Sequence, residues 1–307
     1  MSLSSAIPVG SNNGTQIDMN AMKFMLGGLG NWFNDFDLVK NAILEADKLG
    51  YDGALMPDHY MWGEMRGGPM SRPDSNVTVE TWMTLAYLAA KTEQIRLGTM
   101  VTPIPFRPPG LLAKMISTLD ILSNGRVIVG VGAGWSQAEF EGYSVWNKSK
   151  MRVDKTHEGL ELIIELWTKD KVDFNGKFYQ AKGAVLEPKP IQKPYPTLLF
   201  GSRGNRMLAL SGKYGDIIYL PPFGEYDPAA ARERVLNAAQ NANRADRIGF
   251  MTGGMMQRRI TDINEFMKLV EAADDAGDSY YLVSSSRDET GIETIHKFAM
   301  EVMPSFK

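Results

Sequence analysis

The sequence predicts an α/β chain folded as one (β/α)8 TIM barrel, and three observations carry that prediction. Short β-rich apolar runs alternate with helix-period segments from Lys23 onward. Eight strand-plus-helix pairs fit before the C-terminus. The length, 307 residues, is one at which α/β barrels commonly form a single domain. Residues 1–21 are Ser, Asn and Gly rich without an apolar period, so a disordered tail is expected there and the barrel over 22–307.

The first strand is Lys23 to Gly28, followed by a helix over Phe36 to Leu49 with Leu38, Ala42, Ala46 and Leu49 on one stripe. Asp35 or Asp37 serves as its cap and Gly50 as its stop. Tyr51 to Met56 is the second strand, ended by Pro57; after a loop to Asn76, a helix over Thr78 to Lys91 presents Trp82, Leu85 and Ala89. Ile95 to Val101 is the third strand. Pro108 and Pro109 open the third helix, which closes at Asn124 and Gly125. Val127 to Val131 is the fourth strand.

A longer segment, about 136–196, then interrupts the alternation. It contains a helix over Arg152 to Trp167, with His157 placed on its apolar stripe, a hairpin around Asn175 and Gly176, and an extended strap carrying Pro188, Pro190, Pro194 and Pro196. Strands five to eight follow at Thr197 to Phe200, Ile217 to Leu220, Ile248 to Met251 and Tyr280 to Val283, each with its helix. Asp262 and Glu265 form a capping box, and Gly277 ends that helix.

Composition removes several function classes. A net charge of -3 without a basic run disfavours nucleic acid and anionic membrane as partners. Without cysteine there is no disulfide, thiolate zinc site, iron–sulfur cluster or thiol nucleophile. The histidines, His59, His157 and His296, lack metal-binding spacing, so no metal is expected. GVGAGW lacks the third glycine of the dinucleotide fingerprint, and no P-loop occurs. No secretory leader or membrane-spanning run is evident, and a cytoplasmic location is expected.

In such a barrel, chemistry belongs at the C-terminal strand ends. That rule selects Asp58 and His59 after strand two, Thr99, Met100 and Val101 at strand three, Gly132, Ala133 and Gly134 after strand four, and Gly201, Ser202, Arg203 and Gly204 after strand five. Asp58 and His59 are the candidate catalytic pair, the imidazole being able to exchange a proton near neutral pH; alternatively Asp58 caps a turn and His59 packs. The stretch GSRGNR opens a helix, so its backbone amides and Ser202 or Arg203 can receive a phosphate; a purely structural turn is the alternative. Trp32, Trp62, Trp135 and Phe223 fall on mouth loops and suggest an apolar substrate pocket.

LMPDHYMW, IRLGTMVTP, LDILSNGRVIVGVGAGW and the C-terminal EVMPSF together resemble the bacterial luciferase-like family, and most of all its branch using the deazaflavin coenzyme F420. The resemblance runs from Lys23 to Phe306. It implies the luciferase-like type of barrel with an insertion between strands four and five. It also implies a flat cofactor in the mouth, backed by a non-prolyl cis peptide within Thr99, Met100 and Val101. Asp58 would contact ring or substrate. The related sugar-phosphate dehydrogenases carry an acid where Trp135 stands, and Trp135 cannot transfer a proton, which disfavours their substrate. The implied activity is F420-dependent hydride transfer to or from a small organic substrate. The alternatives are an FMN-dependent monooxygenase and a flavin-binding barrel without turnover. Family members commonly pair through barrel-side helices, so a homodimer is expected.

Overall fold

The computed structural model describes residues 21–29, 36–61, 78–221, 225–254, 263–284 and 290–306. In chain order the first elements are β1 (Lys23–Gly27), α1 (Phe36–Lys48), β2 (Gly53–Met56), α2 (Thr81–Ala89), β3 (Arg96–Thr99), β4 (Thr102–Pro103), α3 (Pro109–Leu122) and β5 (Val127–Gly132). Next come α4 (Gln137–Tyr143), α5 (Ser149–Thr168), β6 (Val172–Asn175) and β7 (Gln180–Ala184). The remainder is β8 (Thr197–Gly201), α6 (Asn205–Tyr214), β9 (Ile217–Tyr219), α7 (Pro228–Asn241), β10 (Gly249–Gly253), α8 (Ile263–Asp275), β11 (Tyr280–Ser284) and α9 (Thr290–Glu301).

All barrel pairings are parallel. β1 joins β2 on one side and β11 on the other, with Lys23 opposite Tyr280, while β5 pairs with both β3 and β8 and closes the ring. β4 continues the line of β3 beyond a cis peptide at Met100–Val101 and pairs with β5 again one residue out of the β3 register, with Thr102 opposite Val131. The expected non-prolyl cis bond therefore lies within Thr99 to Val101.

The period-two side-chain alternation of the strands divides the apolar residues between two cores. Met25, Leu55, Ile128, Leu199, Ile217 and Met251 fill the barrel interior, with Met100 and Val101 packed on them. Phe24, Leu26, Ala54, Val129, Phe200 and Ile218 face outward against the helices. Trp82, Leu85 and Ala89 are buried on α2 as its stripe predicts, although the helix begins at Thr81, where Glu80 caps it by accepting from Met83 N (2.7 Å). Asn124 and Gly125 end α3 at φ 56° and 78°, the left-handed turn that stops a helix. Asp35 and Asp262, two of the expected caps, lie outside the described residues.

The insertion opens with α4, a seven-residue helix that no apolar period announces, since Phe140 and Glu139 alone among its residues are buried. On α5 the buried line runs through Val153, Thr156, Leu160, Ile163 and Trp167. His157 lies beside that line with its side chain 38% exposed and 3.1 Å from Glu161, which corrects its placement on the apolar stripe. The β6–β7 hairpin is held to α5 by Glu158, whose carboxylate accepts from the amides of Lys177, Phe178 and Tyr179 (3.0, 2.6 and 2.7 Å). The strap is anchored by Gln192, which donates from its backbone and side-chain nitrogens to Asp120 (3.0 and 2.6 Å).

At the N-terminal strand ends, polar side chains close on the backbone of neighbouring elements. Asp52 accepts from Phe24 N (2.8 Å) and Asp216 from Leu198 N (2.9 Å). Asp47 accepts from the amides of Glu93, Gln94 and Ile95 (2.8, 2.9 and 2.7 Å). Arg126 donates to the carbonyls of Ala89, Thr92, Ile95 and Ser123. Among the described residues, no helix is long and apolar enough to cross a membrane.

Candidate functional site

The C-terminal strand ends open into a cavity of about 1140 Å³. That exceeds the range of about 300–1,000 Å³ typical of small-molecule pockets, leaving room for a cofactor with a substrate. Its floor is the top of the barrel interior, where Met100, Val101, Tyr219 and Leu282 reach the lining.

One wall comes from the turn after β2. His59 lines the cavity, and its Nδ1 lies 2.7 Å from Glu139 Oε2. The other oxygen of Glu139 accepts from Tyr60 N (2.8 Å) and Met61 N (3.4 Å), so one fully buried carboxylate holds the whole turn. The Trp135 ring stands edge-on to the imidazole with centroids 5.6 Å apart. Glu139, which the sequence does not single out, is brought to this turn by the fold. Its available signal is the Ser136-x-x-Glu139 spacing after Gly134 and Trp135, which marks a helix start.

Asp58 occupies a different place from the one expected. It is buried, and its carboxylate accepts from Arg107 Nη1 and Nη2 (2.6 and 3.0 Å) and from Thr102 Oγ1 (2.8 Å). Arg107 also donates to Glu80 (2.6 Å) and lies over the Tyr60 ring at 4.9 Å. Burial opposes the charge of Arg107, yet the bonds from Asp58 outweigh it and hold the guanidinium above its ordinary pKa. Thr99 is likewise fully buried; its Oγ1 lies 3.0 Å from that of Thr102 and accepts from Gly130 N (3.1 Å). Asp58 and Thr99 therefore brace the β3–β4 break from behind, while Met100 and Val101 form the cavity surface. Of the four residues expected to touch a cofactor, Met100 and Val101 line the cavity and Asp58 and Thr99 do not. Burial pushes the Tyr60 hydroxyl up to about 12 with Arg107 working against it, so Tyr60 stays protonated at neutral pH.

The wall after β5 is Gly132, Ala133 and Gly134. Two of these must be glycine. A Cβ on Gly132 would stand 2.5 Å from Val101 Cγ2; one on Gly134, at φ 73°, would stand 2.5 Å from Phe140. Arg152 pins this loop by donating to Gly134 O (3.2 Å) while stacking over Trp146 at 4.1 Å.

The opposite end is the turn from β8 into α6. Gly201, Ser202, Arg203 and Gly204 all line the cavity, and a Cβ on Gly204 would meet nothing within 4 Å. Ser202 Oγ is buried and meets no hydrogen-bonding partner among the described residues. The first amides of α6 open beside it, the arrangement of an anion-binding helix start. Arg206 ties this end to α5 through Asp154 and through Lys150 O. A phosphate fits here, satisfying both Ser202 and the helix amides. Trp135 lines the cavity as expected; Trp32, Trp62 and Phe223 lie outside the described residues.

A closed (β/α)8 barrel with an insertion after its fourth strand and a glycine-walled mouth is a barrel of the luciferase-like class. The model of the luciferase-like monooxygenase family matches residues 15–262, and the chain belongs to that family. It is 30% identical over 246 residues to the pyrimidine monooxygenase RutA of Yersinia enterocolitica serotype O:8 / biotype 1B, covering 78% of this chain and 62% of that protein. It is 37% identical over 163 residues to the F420-dependent glucose-6-phosphate dehydrogenase of Nocardia farcinica, covering 52% of this chain and 45% of that one. The chain thus spans less than two thirds of either relative's length. An F420-dependent secondary alcohol dehydrogenase in complex with an F420–acetone adduct superposes with a TM-score of 0.77 at 20% identity, over 94% of this chain and 99% of that one; this likeness bears on the fold.

Proposed function

We propose that the chain is an F420-dependent oxidoreductase that passes a hydride between a deazaflavin and a small organic substrate. The observation that carries this reading is His59, a titratable imidazole in the wall of a largely apolar cavity. Hydride addition to a carbonyl, imine or activated alkene leaves the neighbouring atom in need of a proton, and imidazole exchanges one near neutral pH. The deazaflavin, when bound, supplies the two-electron chemistry. Ser202, Arg203 and the α6 amides would hold its phosphate, and Met100, Val101 and Gly132 to Gly134 would flank its ring. Trp135, 53% exposed at the mouth, favours an unsaturated or apolar substrate over a sugar phosphate.

The likeness to RutA over 246 residues favours a second reading, an FMN-dependent monooxygenase. Titration of the purified protein with F420 and separately with FMN, followed by cofactor fluorescence, tests both. Tight F420 binding with weak FMN binding supports hydride transfer; the reverse favours the monooxygenase; binding of neither removes the cofactor reading. Exposed Met83 and Tyr87 on α2 and Leu111 and Leu122 on α3 support the homodimer, for which light scattering should return twice 34.1 kDa.

A further inference from the structure

We infer that Glu139 is a positioning residue that fixes a proton on Nδ1 of His59 and so makes Nε2 the nitrogen that gains and loses one. The role rests on the reading of His59 as the proton-carrying group. An ionised carboxylate only accepts, so the 2.7 Å contact to Glu139 Oε2 requires Nδ1 to donate. The carboxylate cannot turn away without releasing the amides of Tyr60 and Met61 from its other oxygen. Among the described residues, the other charged groups packed around this turn are engaged elsewhere. Asp58 and Glu80 are closed on Arg107, and Arg152 points to the carbonyls of Gly134 and Asn147. Trp135, edge-on at 5.6 Å, restrains the ring from the side. When the imidazolium gives up a proton, the N–H bond at Nε2 breaks and a new bond forms at the substrate atom. The ring returns to its neutral Nδ1–H form.

Glu139→Gln separates this role from a structural one. The amide oxygen can still accept from Tyr60 and Met61, but the NH2 group must face Nδ1, which then has to accept, and the neutral ring carries its proton on Nε2. Long-range ¹⁵N–¹H correlation spectra of the imidazoles read this directly, because the chain has 3 histidines and the His59 signals are identified by their loss in His59→Asn. In its neutral form the wild-type ring should hold its proton on Nδ1. Glu139→Gln should invert the pattern while the F420 dissociation constant stays within about twofold. A wild-type neutral ring protonated on Nε2, or an unchanged pattern in Glu139→Gln, would overturn the assignment. If the variant does not fold, the wild-type spectrum decides alone. Because the spectra need no cofactor, their failure is distinct from a failed cofactor titration.

Discussion

At the floor of the barrel Asp47, Asp52, Asp216 and Arg126 turn their charges onto the backbone of adjacent elements, whereas at the mouth Ser202 Oγ, the first amides of α6 and the His59 imidazole border a cavity. The same eight parallel strands run between these ends. These four floor side chains find their partners within the protein and so contribute stability. At the mouth Ser202 Oγ is buried without a partner among the described residues, a state that costs folding free energy until a ligand is bound.

This contrast predicts that mouth variants change function with little effect on stability, and that floor variants do the reverse. The largest effect is expected from His59→Ala. Single-turnover oxidation of reduced F420 by a panel of carbonyls, imines and activated alkenes should slow by about 10²–10⁴-fold, the contribution of a positioned acid–base group, with F420 affinity retained. Unchanged turnover would remove His59 from the chemistry.

On the floor, Arg126→Ala strips hydrogen bonds from four backbone carbonyls and should cost about 2–4 kcal/mol. Urea denaturation should show a lower midpoint at constant slope, with F420 binding unaltered below the transition. Ser202→Ala crosses the comparison. It should weaken F420 binding by about tenfold, one hydrogen bond to a charged group, yet leave the free protein as stable as wild type or more so. A loss of stability would mean that Ser202 belongs with the floor residues.

The smallest effect concerns pH. Burial opposes the charge of Asp47, but three backbone amides hold its carboxyl below the usual range. Its contribution is therefore complete above the unfolded-state value of about 3.9 and is lost as pH falls through the lower folded value. Asp47→Asn should be less stable by about 1 kcal/mol at pH 7, and the gap should close on acidification. A gap constant down to pH 2 would show that the charge contributes nothing.

The barrel was legible because strand–helix alternation is a local property that each segment of about ten residues declares separately. The cavity turn into α6 was legible for a similar reason, since GSRGNR sits between one strand and one helix. The wall around His59 was less so. Asp58 looks like a ligand-facing acid until Arg107, 49 residues away, is brought against it. Glu139 was hidden in a helix too short to show a period and meets His59 across 80 residues. The cis peptide at Met100–Val101 was accessible through family resemblance; no residue type in that stretch announces it.

The insertion supplies Glu139 to the His59 turn, Arg152 to the Gly134 loop and Asp154 to the anchor of α6. In engineering terms, segment 136–196 is not a detachable cassette. Grafting it onto another barrel, or replacing it here, exchanges the supports of three cavity walls at once, so new substrate ranges are reached more safely by altering residues within it than by swapping it whole.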